Sequence, residues 1–412
     1  MIKFEKFTLD NGLKVIVHQD TTTPIVAINI AYNVGAKDED NHRTGFAHLF
    51  EHLMFSGSVN IPEYDSPLQL VGGSNNAFTS QDYTNYYLTL PVANIETGFW
   101  LESDRMLSLA FSEKGLEVQR KVVVEEFKEN YLNQPYGDVY LLLSPLIYKH
   151  HPYQWMTIGK ETSHIEQATL EEVKAFFAKF YHPANAILTV SGDVSLQQIK
   201  DLCEKWFAPI PAGVAYVRNL PIEPPQKEAR YLEVEREVPQ SRIYKAYRMV
   251  GRDHKNYYIY DLLSDILGNG ESSRLHQKLV KELQLFTNAG AFVMGTIEDG
   301  IFIITATLKE STSMEDAEKA IITELQQIAA HTIASTELQK VKNKAETHVV
   351  LNSMKGLDIA QGLTYFELLG DANKLNEFSQ AIEAVTVAEL QSIAQNLFQP
   401  TNCSTLYYKA KK

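Results

Sequence analysis

Residues 48–52 read His-Leu-Phe-Glu-His. On a helix, His48 and His52 stand one turn apart, so both imidazoles leave the same face, with Glu51 beside them. Two imidazoles spaced in this way can share one zinc ion at about 2 Å each. A carboxylate next to them can take a proton from a water polarised there. The order is the inverse of the more familiar His-Glu-x-x-His helix of zinc peptidases. The plain alternative is a pair of core histidines with satisfied hydrogen bonds.

A zinc hydrolase centre takes three protein ligands and leaves one position for water. The third ligand is expected on another element, and the stretch Glu117–Leu132 offers two adjacent carboxylates, Glu125 and Glu126. It contains no Pro or Gly and reads as one helix. Glu125 and Glu126 are neighbours, so they point about 100° apart. Glu125 has Lys121, Lys128 and Glu129 around it, an ion-paired, solvated face. Glu126 shares its stripe with Gln119, Val122, Val123 and Asn130, which are apolar or neutral. A carboxylate there needs a cation, and zinc supplies one. Otherwise a neighbouring Arg or amide would have to satisfy it.

The elements that must hold these groups follow from periodicity. Leu13–His18, Ile25–Tyr32, Asn76–Thr79, Thr84–Leu90 and Ala186–Ser191 read as strands, while Ile95–Ser108, Leu170–Phe180 and Leu196–Trp206 read as helices. Pro209, Pro211, Pro221, Pro224 and Pro225 mark linker composition. After the linker the order recurs. Ser241–Tyr247 and Phe302–Ala306 read as strands; Tyr257–Leu267, Arg274–Leu283, Met314–Ala330, Ser335–Met354 and Val387–Leu397 read as helices. The expected architecture is α+β: two similar domains, each a mostly antiparallel sheet with helices packed on one face. The expected boundaries are 1–215 for the domain with the zinc motif, 216–230 for the linker and 231–412 for a second domain without it. Gly268-Asn269-Gly270 lacks the ending of a phosphate loop and reads as a turn into a helix.

Composition excludes other classes. A chain of 412 residues exceeds one typical core. A net charge of −13 gives no general attraction for nucleic acid. No apolar run approaches the length of a membrane span. Cys203 and Cys403 do not make a disulfide framework. Residues 1–6 lack an apolar signal core, so a cytoplasmic location is expected, or a periplasmic one if a signal peptide has been removed.

The motif, with the glutamate of Val-Val-Val-Glu-Glu downstream, resembles the pitrilysin/insulinase metallopeptidases. Thr8-Leu9-Asp10-Asn11-Gly12-Leu13, Tyr32-Asn33-Val34-Gly35-Ala36, Asn76-Ala77-Phe78-Thr79 with Asn85-Tyr86-Tyr87, and Ser191-Gly192-Asp193 match as well. The resemblance implies His48, His52 and Glu126 as zinc ligands and Glu51 as general base. It implies that the two halves form half of a clamshell. A supporting Glu is common in the family seven residues before the third ligand; here that position is Gln119. Asn76, Ala77, Phe78 and Thr79 would be an edge strand to which an extended peptide substrate adds by backbone hydrogen bonds.

Many members of that family carry an Arg and a Tyr, seven residues apart, that polarise the scissile carbonyl. The matching positions here are Val280 and Thr287. The resemblance therefore implies a heterodimer with a related, zinc-less subunit that supplies the Arg/Tyr pair. The rival reading is a non-catalytic structural or interaction subunit. A zinc enzyme acting on small molecules, such as a deaminase, would need a Cys-x-x-Cys partner motif that the chain lacks.

Overall fold

The structure, a computed structural model, describes residues 1–411 and divides into two compact units. The first gathers residues 1–129, 155–221 and 350–377. The second gathers residues 130–154, 222–349 and the chain from Phe378 on. The expected single cut at residues 216–230 therefore marks only one of the crossings. Two segments change sides, one in each half of the sequence.

The first unit is built on six strands: β1 (Glu5–Thr8), β2 (Lys14–Gln19), β3 (Ile25–Tyr32), β4 (Ser74–Thr79), β5 (Thr84–Pro91) and β6 (Ala186–Gly192). Their order is β1-β2-β6-β3-β5-β4, and only β2 and β6 run parallel. The second unit has β7 (Arg230–Arg236), β8 (Arg242–Arg248), β9 (Phe286–Met294), β10 (Ile301–Leu308) and β11 (Cys403–Ala410). Their order is β7-β11-β8-β10-β9, with β7 and β11 the parallel pair. Leaving out β1, the two orders match strand for strand. The recurrence expected from element order is present in the topology.

Side chains alternate across each strand, so each sheet has two faces to cover. In the second unit Ile243, Tyr247, Phe302 and Ile304 pack with the helices Tyr257–Gly268, Met314–Ala330 and Val387–Leu397. The opposite face presents Tyr244, Ala246, Ile301 and Ile303. It is covered by Val139, Leu143 and Ile147 of the helix Val139–Ile147, which comes from the first half of the sequence. The first sheet receives the reciprocal element. The helix Gly356–Leu368 lays Ile359 and Leu363 on Ile16 and Ile187, and Asn29 Nδ2 donates to its Thr364 Oγ1 at 2.9 Å. Neither exchanged helix was expected. Val139–Ile147 is a short apolar run, and periodicity does not say which sheet such a run will cover.

Glu117–Leu132 is not one helix. An α-helix spans Glu113–Phe127 and gives way to a π-helical turn at Lys128–Leu132. The expected helix Arg274–Leu283 is a π-helical turn, His276–Glu282. No helix among the described residues is long and apolar enough to cross a membrane.

Candidate metal centre

The motif lies on the helix Phe46–Leu53. Phe46, Ala47, Leu49, Phe50 and Leu53 are buried, which leaves His48, Glu51 and His52 on the remaining face. The Phe50 ring stacks on Phe176 and Tyr181, with centroids 4.8 and 5.1 Å away, and so anchors the buried side. The helix starts at Gly45, whose φ of 90° suits glycine; a Cβ there would stand 2.8 Å from Ile158 O.

Glu126 reaches the two imidazoles from the helix Glu113–Phe127, whose N-terminus Ser112 caps by accepting from Gly115 N–H at 3.0 Å. Its neighbour Glu125 is exposed and pairs with Lys128 at 2.7 Å, as the charge pattern predicts. Three ligand atoms converge. His48 Nε2 and His52 Nε2 are 3.3 Å apart, and Glu126 Oε2 is 3.6 Å from the first and 3.4 Å from the second. Donors bound at about 2.0–2.1 Å to a tetrahedral ion stand about 3.3–3.4 Å from one another. The triangle has that size, and two imidazoles with one carboxylate are a donor set that zinc accepts. It is the one His/Cys/Asp/Glu cluster of metal-binding geometry among the described residues.

Protonation fits the same use. Burial pushes the His48 imidazole down to about 4, which keeps it neutral, the form that ligates a metal. Its Nδ1 is buried without a hydrogen-bond partner, so packing orients the ring. A hydrogen bond from His52 lowers the Glu126 carboxyl against its partial burial. Burial raises the Glu51 carboxyl, and a hydrogen bond from Thr79 opposes the rise. A raised carboxyl suits a general base working near neutral pH.

The other expected residues are less uniform. β4 is the edge strand of its sheet, and Asn76, Ala77, Phe78 and Thr79 lie on it. Thr79 has a further role: its Oγ1 donates to Glu51 Oε2 at 2.7 Å. The Ala77 N–H is taken by Asn76 Oδ1 at 2.8 Å, and the Phe78 ring packs edge-on against Tyr83. Gln119 does not touch the ligand side chains. Its Nε2 donates to Ser56 Oγ at 3.0 Å, and Ser56 Oγ donates to the His52 carbonyl at 3.4 Å, so it ties the two helices together through main chain.

Sequence reasoning missed Glu39. Its Oε1 accepts from Ala47 N–H at 2.8 Å; its Oε2 accepts from Gly45 N–H at 2.9 Å and from Trp155 Nε1 at 3.1 Å. Burial pushes its carboxyl up to about 8 against these three donors. The available signal was the helix start itself: a glycine there has no side chain to satisfy the first N–H groups, so a cap had to come from elsewhere.

A two-sheet α+β chain in which two imidazoles and a carboxylate converge, with a second carboxylate on the same helix face, has the parts of a metallopeptidase. The chain belongs to the insulinase family, peptidase family M16: the family profile "Insulinase (Peptidase family M16)" matches residues 14–153, and "Peptidase M16 inactive domain" matches residues 167–345. It is 30% identical over 413 residues to the zinc protease PqqE of Helicobacter pylori, covering 99% of this chain and 93% of that one. A crystal structure of a protease from Helicobacter pylori superposes with a TM-score of 0.93 at 29% identity, covering 99% of this chain and 100% of that one. The periplasmic protease PqqL from Escherichia coli shares the fold, with a TM-score of 0.81 at 19% identity; 98% of this chain covers 47% of that one.

Proposed function

We propose that the chain is a zinc-dependent endopeptidase for extended, unstructured peptides, and the catalytic subunit of a 1:1 complex with a related zinc-less partner. The observation that carries the reading is the His48–His52–Glu126 triangle with Glu51 on the same helix face. Zinc held by those three side chains would supply Lewis acidity, lowering the pKa of a water from about 15.7 towards 7 and polarising the scissile carbonyl. Glu51 takes the proton of the attacking water and delivers it to the leaving amine. Thr79 holds the Glu51 carboxylate in place from β4. The free side of β4 receives the peptide as an added strand, aligning the scissile bond without reading most side chains.

The partner follows from the two positions that match the family's Arg/Tyr pair. Val280 packs against the core of the second unit, and Thr287 Oγ1 lies 3.3 Å from Gln240 Oε1 and 3.4 Å from Thr307 O. Neither is a cationic or phenolic donor. Losing one oxyanion donor typically costs about 10²–10³ in rate. PqqL is a single chain about twice as long, which supports a working unit made of two such halves. A second reading, a non-catalytic subunit, draws on the match of residues 167–345 to a domain named inactive.

Elemental analysis and peptide cleavage test both readings. About one zinc per chain is expected, with weak cleavage by the chain alone and strong cleavage in a 1:1 complex with an Arg/Tyr-bearing partner. A zinc-free protein that cannot be reconstituted refutes the peptidase. Full activity from a monomer or homodimer refutes the heterodimer and leaves the zinc site untouched.

A further inference from the structure

The connection into the motif helix is longer than its counterpart in the second unit. Residues 33–45 join β3 to Phe46–Leu53, whereas residues 249–256 join β8 to Tyr257–Gly268. The longer connection includes the turn Ala36–Asp38 followed by Glu39. Three charges in a row in a loop are ordinarily solvated, yet Lys37, Asp38 and Glu39 are all buried. Each grips a different element. Lys37 Nζ donates to Asp82 Oδ1 at 2.8 Å, and Asp82 lies in the turn between β4 and β5, just after Thr79. Asp38 receives Arg218 of the proline-rich strap, Nε to Oδ1 at 2.7 Å and Nη2 to Oδ2 at 2.9 Å. Glu39 receives the first turn of the motif helix.

We propose that Glu39 is a positioning residue for the reaction, one whose carboxyl group sets the height and rotation of the helix carrying His48, Glu51 and His52. The proposal rests on the peptidase reading above. Two oxygens of one rigid group accept two N–H groups of one helical turn, so both translation along the axis and rotation about it are restrained. A single acceptor restrains only one. Lys37, through Asp82, restrains the hairpin that carries Thr79. One turn of chain thus references both groups that orient Glu51: the helix it rides on and the hydroxyl that holds its carboxylate. The start of the equivalent helix in the second unit is held differently. There Asn256 N–H meets the His254 ring at 3.1 Å and Tyr257 N–H meets the His254 carbonyl at 2.9 Å, all within a local turn.

The test compares Glu39→Gln and Glu39→Ala with the unmodified protein in its active assembly. Three quantities are measured: amide exchange at Gly45 and Ala47, the zinc dissociation constant by chelator competition, and kcat and KM separately. Glutamine keeps the shape but only one accepting oxygen. It should speed exchange at one of the two amides, weaken zinc about tenfold and lower kcat roughly 10- to 100-fold with KM unchanged, since small misplacements near reacting atoms cost that much. Alanine should do more of each. A folded Glu39→Gln protein with unchanged exchange, zinc affinity and kcat overturns the proposal. If Glu39→Ala does not fold, Glu39→Gln decides. If the unmodified protein binds no zinc, the functional reading fails, and the exchange measurement still decides whether Glu39 anchors the helix.

Discussion

The two units share a strand order and differ in chemistry at the equivalent helix. Counted from the first helical residue, the positions of His48, Glu51 and His52 in the first unit are those of Ile259, Leu262 and Leu263 in the second. All three apolar residues are buried, whereas the three polar ones are only partly covered. The sheet therefore supplies a frame indifferent to reaction. A helix in that frame is either a core element or the floor of a site, according to three side chains and the connection that precedes it. The largest expected effect comes from erasing the difference. The triple variant His48→Ile, Glu51→Leu, His52→Leu should bind no zinc and cleave nothing, yet fold, because the buried face of the helix, Phe46, Ala47, Leu49, Phe50 and Leu53, is untouched. Elemental analysis and a thermal scan check it; stoichiometric zinc in that variant would mean that the metal sits elsewhere.

A single atom pair sharpens the comparison next. Glu51→Gln keeps shape and removes basicity, so hydrolysis should fall by about 10²–10⁴ while zinc is retained. Single-turnover cleavage beside a metal assay separates the two effects. A variant that loses its zinc would make Glu51 a ligand rather than a base.

The third test concerns two adjacent carboxylates. Glu126→Gln should lose most of its zinc, because one of three ligand atoms becomes a neutral amide; Glu125→Gln should be nearly silent, because its partner is an exposed lysine whose pairing is worth little. Chelator competition on the two proteins reads the difference directly, and a reversal would contradict the triangle of ligand atoms.

That distinction between Glu125 and Glu126 was legible in the sequence because it is local: lysines one turn away mark the solvated face. The motif helix and the strands β2, β3, β5 and β6 were legible for the same reason, since burial on a regular element repeats with the element's own period. What was not legible depends on distant partners. The apolar run Val139–Ile147 carries no mark saying that it covers the second sheet rather than the first. Gln119 faces the right helix but reaches Ser56 instead of a ligand. The run Lys37-Asp38-Glu39 looks like solvated surface, and only the fold brings Asp82, Arg218 and the helix start to it. Thr79 was expected to bind substrate backbone; that its hydroxyl reaches Glu51 depends on how β4 lies beside the motif helix, which no periodicity encodes.

Thr79 gives the smallest and most specific effect. Burial raises the Glu51 carboxyl and the Thr79 hydroxyl pulls it back, so Thr79→Val, which keeps the shape and removes the donor, should let it rise further. A general base works only when ionised, so activity disappears below its pKa, and the acid limb of kcat/KM should move to higher pH. A hydrogen bond to a charged group is worth about 1.5–3 kcal/mol, so the movement of the limb is large enough to read in a pH profile. Above both limbs the variant should recover most of the original rate, because the carboxylate is ionised in either protein. A purely structural role for Thr79 predicts something else: a rate lowered by the same factor at every pH, with the limb unmoved. The pH profile of the zinc-loaded assembly distinguishes the two outcomes, and an unmoved limb would return Thr79 to the role of an ordinary edge-strand residue.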